Sequence, residues 1–340
     1  MLNFKLPFKT FKVDLKYATP SFEARTLAGK YGFLPYMVER YIKMFGNTEE
    51  VEELLKTTGK GLTKSIRCNI LKIKCCNLLK RLKSKGLKLK NIPWANTGYW
   101  VLEGGEKLGY LHEYLFGYYF IQGAPSMIPP LELNPSPNDV VLDMCAAPGG
   151  KTTHLAELME NKGVILAVDI SRSRMKTLRS NISRMGVANT ILLKMNSKEL
   201  GNYGEFFTKI LLDAPCTGEG LLPIDASRKE KTQLQDLFKM ASRQLELLKS
   251  AIRALKPGGT LVYSTCSIAP EENEFVINEI LNLFENVSVE NLSIISRFGI
   301  KGFTEVFGIR LRDELAKCYR VYPHKHEMEG YFICKLIKKG

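Results

Sequence analysis

The chain has 340 residues, 45% of them hydrophobic and 25% charged, the balance of a soluble globular protein with two or three folding units and a sizeable core. No apolar run approaches the roughly 18 residues of a membrane-spanning helix. The start, Met1 to Lys9, holds no apolar stretch of signal-peptide length, so a cytoplasmic protein with no membrane association is expected. The eight cysteines (Cys68, Cys75, Cys76, Cys145, Cys216, Cys266, Cys318 and Cys334) include no C-x-x-C pair and accompany only four histidines. That pattern argues against a zinc site and against a disulfide framework. No metal is expected, and any special cysteine should act through thiolate chemistry.

The net charge of +14 is unevenly spread. Residues 1–100 carry 20 Lys and Arg against 7 Asp and Glu, while the remaining 240 carry 29 against 28. Between Leu54 and Leu102 there are twelve basic residues and no acidic one. A short lysine run alone is an ordinary solvated face. A strongly basic segment ahead of a near-neutral one points instead to phosphate neutralisation by the first and a different task for the second.

In chain order, residues 1–60 read as helical, with entries at Pro20-Ser21 before Glu23, at Glu39 to Phe45, and at Asn47-Thr48-Glu49-Glu50-Val51. Residues 61–130 read as a small basic α/β unit. A strand begins at Ser65, a basic amphipathic helix runs from Cys75 to Lys85 and ends at Gly86, and a second strand covers about Gly98 to Leu102. From about Leu131 to the end, strands and helices alternate. Strands are expected at Val140–Met144, Val164–Asp169, Ile191–Met195, Lys209–Asp213 and Thr260–Ser264, with two late ones at Lys317–Tyr322 and Tyr331–Leu336. Helices are expected at Thr152–Met159, Ser171–Met185 and Thr232–Leu255, and from Pro270 onward. Repeated strand–helix–strand units predict a mostly parallel sheet covered on both faces, with ligands at the carboxyl ends of its strands.

Four segments at those strand ends carry chemistry. Asp143-Met-Cys-Ala-Ala-Pro-Gly-Gly-Lys-Thr152 is a glycine-rich turn into a helix, where small residues admit a ligand and the helix start offers unpaired N–H groups. Gly150-Lys151-Thr152 matches the end of a phosphate-binding loop, but that motif's first glycine would fall at Cys145, and no G-x-G-x-x-G is present. A nucleotide hydrolase is therefore disfavoured. Asp169 ends the next strand, where an acid can accept from ribose hydroxyls or simply cap the following helix; its place about 20 residues after a glycine-rich turn favours the ligand. Asp213-Ala-Pro-Cys216-Thr-Gly-Glu-Gly220 and Tyr263-Ser-Thr-Cys266-Ser267 end two later strands. A buried structural cysteine is the commonest kind, but two cysteines and an aspartate converging on one crevice suit nucleophilic catalysis with an acid–base partner.

These signatures, in this order, resemble the RNA cytosine-C5 methyltransferases of the bacterial RsmB, yeast Nop2 and Sun group, archaeal type. The resemblance extends to Tyr119-Phe-Ile-Gln122 with Pro125-Ser126-Met127, to Pro270-Glu-Glu-Asn273-Glu, to Pro323-His324 with Gly330-Tyr-Phe, and to Ser65-Ile-Arg67-Cys-Asn69; only the first sixty residues match loosely. It implies a class I methyltransferase fold, Rossmann-like with a mostly parallel seven-stranded sheet. Ahead of the sheet it implies an RRM-like unit and a helical region, divided as 1–60, 61–130 and 131–340. It further implies S-adenosylmethionine as cofactor, held by Cys145, Ala146, Ala147, Pro148, Gly149, Gly150, Lys151, Asp169, Arg174 and Asp213. The adenine-reading aspartate of the family falls at Asn196, whose side-chain oxygen can still accept that hydrogen bond.

By the same resemblance Cys266 is the nucleophile toward cytosine C6, Cys216 assists release, Asp213 serves N3, and Lys151 orients Asp213 or helps activate the thiol. The substrate would be tRNA or rRNA, gripped by the basic first hundred residues, and the enzyme a monomer. Cys334, where the family has Ala, would be core variation. The rival is a non-catalytic RNA-binding or ribosome-assembly factor that keeps the fold, against which the three intact residues Cys216, Cys266 and Asp213 speak.

Overall fold

The computed structural model describes residues 6–340; residues 1–5, part of the segment read for a signal peptide, lie outside the described residues. A 3-10 turn (Leu15–Ala18) comes first, followed by three α-helices, α1 (Phe22–Tyr31), α2 (Pro35–Phe45) and α3 (Thr48–Lys56). Ser21 caps α1 by accepting from the Ala24 N–H at 3.1 Å, and Asn47 caps α3 by accepting from the Glu49 N–H at 2.8 Å. Met37, Val38 and Tyr41 of α2 and Val51, Leu54 and Leu55 of α3 are buried in the same core cluster as the main sheet and its long helix. The helical region is thereby welded to the domain behind it.

Next come β1 (Ser65–Cys68), α4 (Cys75–Ser84), β2 (Lys88–Ile92), β3 (Ala95–Glu103), α5 (His112–Leu115) and β4 (Tyr119–Ile121). They form an antiparallel sheet ordered β2-β3-β1-β4. Neither β2 nor β4 is expected from the sequence. β2 is a mostly exposed, lysine-rich edge held by its hairpin with β3, and β4 is only three residues long. One face of the sheet, with Ile66, Tyr99, Val101 and Tyr119, packs on Leu78 and Leu82 of α4. Through the other face Arg67 reaches the following domain.

After α6 (Ile128–Leu133), the main domain runs β5 (Val140–Asp143), α7 (Gly150–Leu158), β6 (Val164–Asp169), α8 (Arg172–Met185), β7 (Thr190–Lys194), β8 (Phe207–Asp213), α9 (Arg228–Lys231), α10 (Leu234–Ala254) and β9 (Leu255–Thr265). It continues through α11 (Glu274–Leu283), β10 (Val287–Glu290), β11 (Ile300–Lys301), β12 (Glu305–Val306), β13 (Ile309–Arg310), β14 (Tyr319–Val321), α12 (Pro323–His326) and β15 (Tyr331–Lys338). The sheet order is β11-β14-β15-β9-β8-β5-β6-β7, with β10 also on β15. The strands β7-β6-β5-β8-β9 are parallel and β15 inserts antiparallel beside β9. This is the class I methyltransferase arrangement, with nine strands rather than the expected seven because the short β10 and β11 extend it. Among the described residues no helix is long and apolar enough to cross a membrane.

Two further departures bear on the site. β9 begins at Leu255, straight after α10, and runs through Pro257-Gly258-Gly259, where the sequence suggests only a stop; Gly258 takes φ 77°, and the pairing with β8 slips between Phe207 and Lys209. The helix expected from Pro270 is a 3-10 turn, Pro270–Glu272, and α11 starts only at Glu274. Asn273 breaks the run at φ −118°, ψ −96°, because its side chain accepts from the Thr265 hydroxyl at 2.6 Å and donates to the Ser267 carbonyl at 2.9 Å.

Candidate active site

The parallel strands end side by side, β6 at Asp169, β5 at Asp143, β8 at Asp213 and β9 at Thr265. The strand order reverses beside β5, which opens a crevice above these ends. The turn after β5 carries Cys145, Ala146, Ala147 and Pro148, and Gly149 caps α7, which begins at Gly150. The Ala146 N–H donates to the Val168 carbonyl at 3.0 Å, and the Thr152 hydroxyl donates to Asp143 at 2.7 Å. Gly149 has φ 105°, and a Cβ there would lie 2.9 Å from Leu178 Cδ1, so only glycine fits. Burial pushes the Cys145 thiol up to about 12, which keeps it protonated and unreactive at neutral pH.

The two carboxylate oxygens of Asp169 have different surroundings. Its Oδ1 accepts from the Ser171 N–H at 2.9 Å at the entry to α8. Its buried Oδ2 meets no hydrogen-bond donor among the described residues and has only Arg174 Nη1 at 3.4 Å. Arg174 also donates to the Ala147 carbonyl, tying α8 to the glycine-rich turn. Asn196 accepts from the Lys198 N–H at 3.3 Å. One cleft is lined by Met144, Cys145, Asp169, Arg174 and Asn196, together with Arg243 of α10.

Asp213 is surrounded by donors. Lys151 Nζ lies 2.6 Å from Oδ2, and the Ser264 and Tyr331 hydroxyls donate to Oδ1 at 2.8 and 2.7 Å. Lys151 also donates to Ser126 Oγ at 2.8 Å and sits 5.6 Å from the centre of the Tyr331 ring. Its ammonium is engaged by these groups, which further weakens any phosphate-loop role.

Cys216 and Cys266 follow β8 and β9, and their sulfurs are 3.2 Å apart. The hydrogen bond with Cys266, followed by burial, holds the Cys216 thiol well above its ordinary value. Around the pair, Glu272 accepts from the Thr217 N–H at 2.9 Å, the Thr217 hydroxyl, the Ser267 hydroxyl at 2.7 Å and Gln244 Nε2 at 3.0 Å. The two cysteine loops also touch directly, the Gly220 N–H donating to the Cys266 carbonyl at 3.0 Å.

Several contributors escape a sequence-based reading. Ser264 and Tyr331 on Asp213, and Ser126 on Lys151, lie inside segments that the family pattern marks, but their roles need the fold. Arg243 and Gln244 are two polar residues among many on α10, and nothing in the spacing separates them. Arg40 and Arg67, both within the basic first hundred residues expected to grip RNA, are fully buried. Arg67 donates to the Gly150 carbonyl and Thr153 Oγ1 at 2.7 Å each, and to Glu157 Oε1 at 3.1 Å. It docks the small sheet onto the start of α7 and is not part of the basic surface of that region.

Known proteins agree with this arrangement. Residues 130–337 match the family model of the 16S rRNA methyltransferase RsmB/F, and residues 34–124 match the N-terminal domain of the 16S rRNA methyltransferase RsmF. The 26S rRNA (cytosine-C(5))-methyltransferase nsun-1 of Caenorhabditis elegans is 36% identical over 92% of this chain and 48% of its own length. The ribosomal RNA small subunit methyltransferase F of Vibrio atlanticus is 39% identical over 85% of this chain and 60% of its own. The chain thus spans roughly half the length of these curated relatives. Among solved structures, a methyltransferase homolog protein from Pyrococcus horikoshii superposes with a TM-score of 0.84 at 39% identity, covering 94% of this chain and all of that one. NSun6 from the same organism, solved with SFG, gives 0.77 at 30% identity, covering 89% of this chain and 97% of its own. With the sheet, the glycine-rich turn and the paired cysteines all in place, this chain belongs to the RsmB/F family of RNA methyltransferases.

Proposed function

We propose that the protein transfers a methyl group from S-adenosylmethionine to C5 of cytosine in RNA through a covalent Cys266 adduct. The observation that carries this reading is the pair of sulfurs 3.2 Å apart beside Asp213, at the ends of adjacent strands. A methyltransferase attacking C5 of a pyrimidine needs one sulfur to add at C6 and a neighbouring group to help remove the C5 proton.

The cleft residues fit the cofactor. The buried Asp169 Oδ2 has no hydrogen-bond donor among the described residues and suits a ribose hydroxyl, while Asn196, Arg174, Arg243 and the Cys145–Lys151 turn line the rest. When bound, the cofactor supplies an electrophilic methyl group. Cys266 sulfur adds to C6 of the base, and the electron pair of the C5–C6 double bond moves onto the ring toward N3. Asp213, fixed by Lys151, Ser264 and Tyr331, holds a proton at N3 through a hydrogen bond. C5, now enamine-like, takes the methyl group. The C5 proton passes by way of the Cys216 sulfur to solvent, the C5–C6 double bond re-forms, the C6–sulfur pair returns to Cys266, and the N3 proton returns to Asp213. The base must leave any stack to reach this crevice, and the exposed lysines of the first hundred residues neutralise the phosphates beside it.

In this reading the RNA is a tRNA or an rRNA, and the enzyme works as a monomer in the cytoplasm. Incubation with methyl-labelled cofactor and total RNA, followed by nucleoside analysis, tests the proposal. Labelled 5-methylcytidine is expected; cofactor binding with no transfer to any RNA overturns catalysis and leaves an RNA-binding assembly factor.

A further inference from the structure

Arg40 of α2 is fully buried, and its guanidinium meets two carboxylates from different places in the chain. Its Nη1 lies 2.9 Å from Glu219 Oε1, 179 residues away. Its Nε and Nη2 lie 2.9 and 2.7 Å from the two oxygens of Glu271, 231 residues away. Glu219 sits three residues after Cys216, and Glu271 five after Cys266. The Tyr17 hydroxyl adds a 2.7 Å bond to Glu271. One planar fork from the N-terminal helices therefore grips both loops that carry the paired sulfurs.

A bland account would have this cluster merely fasten α2 to the main domain. Buried ion pairs are a costly way to do that, because desolvation offsets most of their attraction and apolar packing serves as well. α2 already buries Met37, Val38 and Tyr41 for the purpose. What apolar side chains cannot supply is fixed direction, and a bidentate arginine can. The two carboxylates joined are those next to the reacting cysteines, and the loops meet again through Gly220 and Glu272.

We infer that Arg40 is a positioning residue for the methyl-transfer reaction, clamping the Cys216 and Cys266 loops so that their sulfurs stay in register. This inference rests on the cysteine-adduct reading above. It assigns the N-terminal helices a part in the chemistry besides any contact with RNA.

The test uses the full chain. Arg40→Met alone strands two buried carboxylates and invites unfolding, so the informative variant is Arg40→Met/Glu219→Gln/Glu271→Gln, which removes charge and clamp together. Arg40→Lys, which keeps the charge without the fork, is a second variant should the triple one fail to fold. Three quantities are measured: S-adenosylhomocysteine affinity, KM for RNA against single-turnover rate, and bridging of Cys216 and Cys266 by phenylarsine oxide. In that bridging reaction two thiols and one arsenic oxide give one dithioarsinite and one water, located by peptide mass mapping.

We expect affinity and KM to stay within about threefold, the rate to fall by about 100-fold in the triple variant and about tenfold in Arg40→Lys, and the bridge yield to fall with it. A wild-type rate in the folded triple variant, or in Arg40→Lys if only that one folds, overturns the inference. So does a slow variant that still bridges both sulfurs fully. If the wild-type protein itself methylates no RNA, the cysteine-adduct reading fails instead, and the arsenic bridge still reports whether Arg40 sets the loops.

Discussion

Lys151 Nζ stands 2.6 Å from Asp213 Oδ2, where the glycine-rich turn of β5 meets the loop after β8. The pair joins the glycine-rich turn to the cysteine loops, because Asp213 lies three residues before Cys216 while Lys151 follows Gly150 in the first turn of α7. With Ser264 and Tyr331 on the other oxygen, the carboxylate is oriented from three directions.

That geometry predicts the effect of removing the ammonium. Lys151→Met leaves Asp213 to Ser264 and Tyr331 alone, free to turn about its Cβ–Cγ bond. We expect single-turnover methylation to fall by about 100-fold, within the usual range for a mispositioned acid–base group, with Lys151→Arg intermediate. An unchanged rate in quenched-flow measurements would show that Lys151 plays no part in orienting Asp213.

The two sulfurs should separate cleanly by the step each serves. Cys216→Ala leaves Cys266 able to add to C6 but slows removal of the C5 proton, so RNA should accumulate on the protein as a denaturant-stable complex. Cys266→Ala should form none. Denaturing gels of each variant with RNA and cofactor decide the matter, and an adduct in the Cys266 variant alone would mean that the roles are reversed.

How much of this is legible in the sequence follows from distance along the chain. The turn Asp143–Thr152 and the loops after Asp213 and Thr265 are local motifs, each within ten residues, so the residues alone place them at strand ends. The alternation of strands and helices behind them is equally plain. What holds the loops against one another is not local. Arg40 reaches 179 and 231 residues to its partners, Arg67 reaches 83 to Gly150, and Tyr331 reaches 118 to Asp213. In the sequence Arg40 and Arg67 are two cations among twenty in a basic stretch, and only burial distinguishes them from surface charge. The break at Asn273 is hidden although its partners are near in sequence, because Thr265 ends β9 and Ser267 lies on the loop after it, outside the helix that the pattern suggests.

Glu272 predicts a pH effect on stability. Burial pushes its carboxyl up from 4.5 to about 7 despite the donors around it. A carboxyl raised in the folded state keeps its proton after the unfolded chain has lost its own, so its contribution is complete below about 4.5 and declines as pH rises to about 7. A shift of that size corresponds to about 3 kcal/mol at most. Glu272→Gln should flatten the dependence. Its amide can face the Thr217 and Ser267 hydroxyls, which rotate to accept, while its oxygen keeps Gln244 and the Thr217 N–H. Urea unfolding between pH 5 and pH 8 should show a shallower loss in the variant than in the wild type; parallel curves would rule Glu272 out as the titrating group.

Gly220 offers the sharpest test of how closely the loops are held. Its backbone N–H donates to the Cys266 carbonyl at 3.0 Å, and its carbonyl accepts from the Gly330 N–H at 2.8 Å. The loops of Cys216, Cys266 and Tyr331 therefore meet at one residue. A Cβ there would lie 2.2 Å from the Gly330 oxygen and 2.7 Å from the Cys266 oxygen, both backbone atoms that no side-chain rotation can move aside. Gly220→Ala must push at least one loop away, and displacement of a reacting group by about 1 Å costs about 100-fold in rate. The cleft of Asp169 and Arg174, proposed for the methyl donor, is lined by other residues, so S-adenosylhomocysteine affinity by calorimetry should change by less than about threefold while methylation falls. If the rate survives with that affinity intact, the close approach of the loops is not what sets the reaction geometry, and the separation of the two sulfurs must be held from elsewhere.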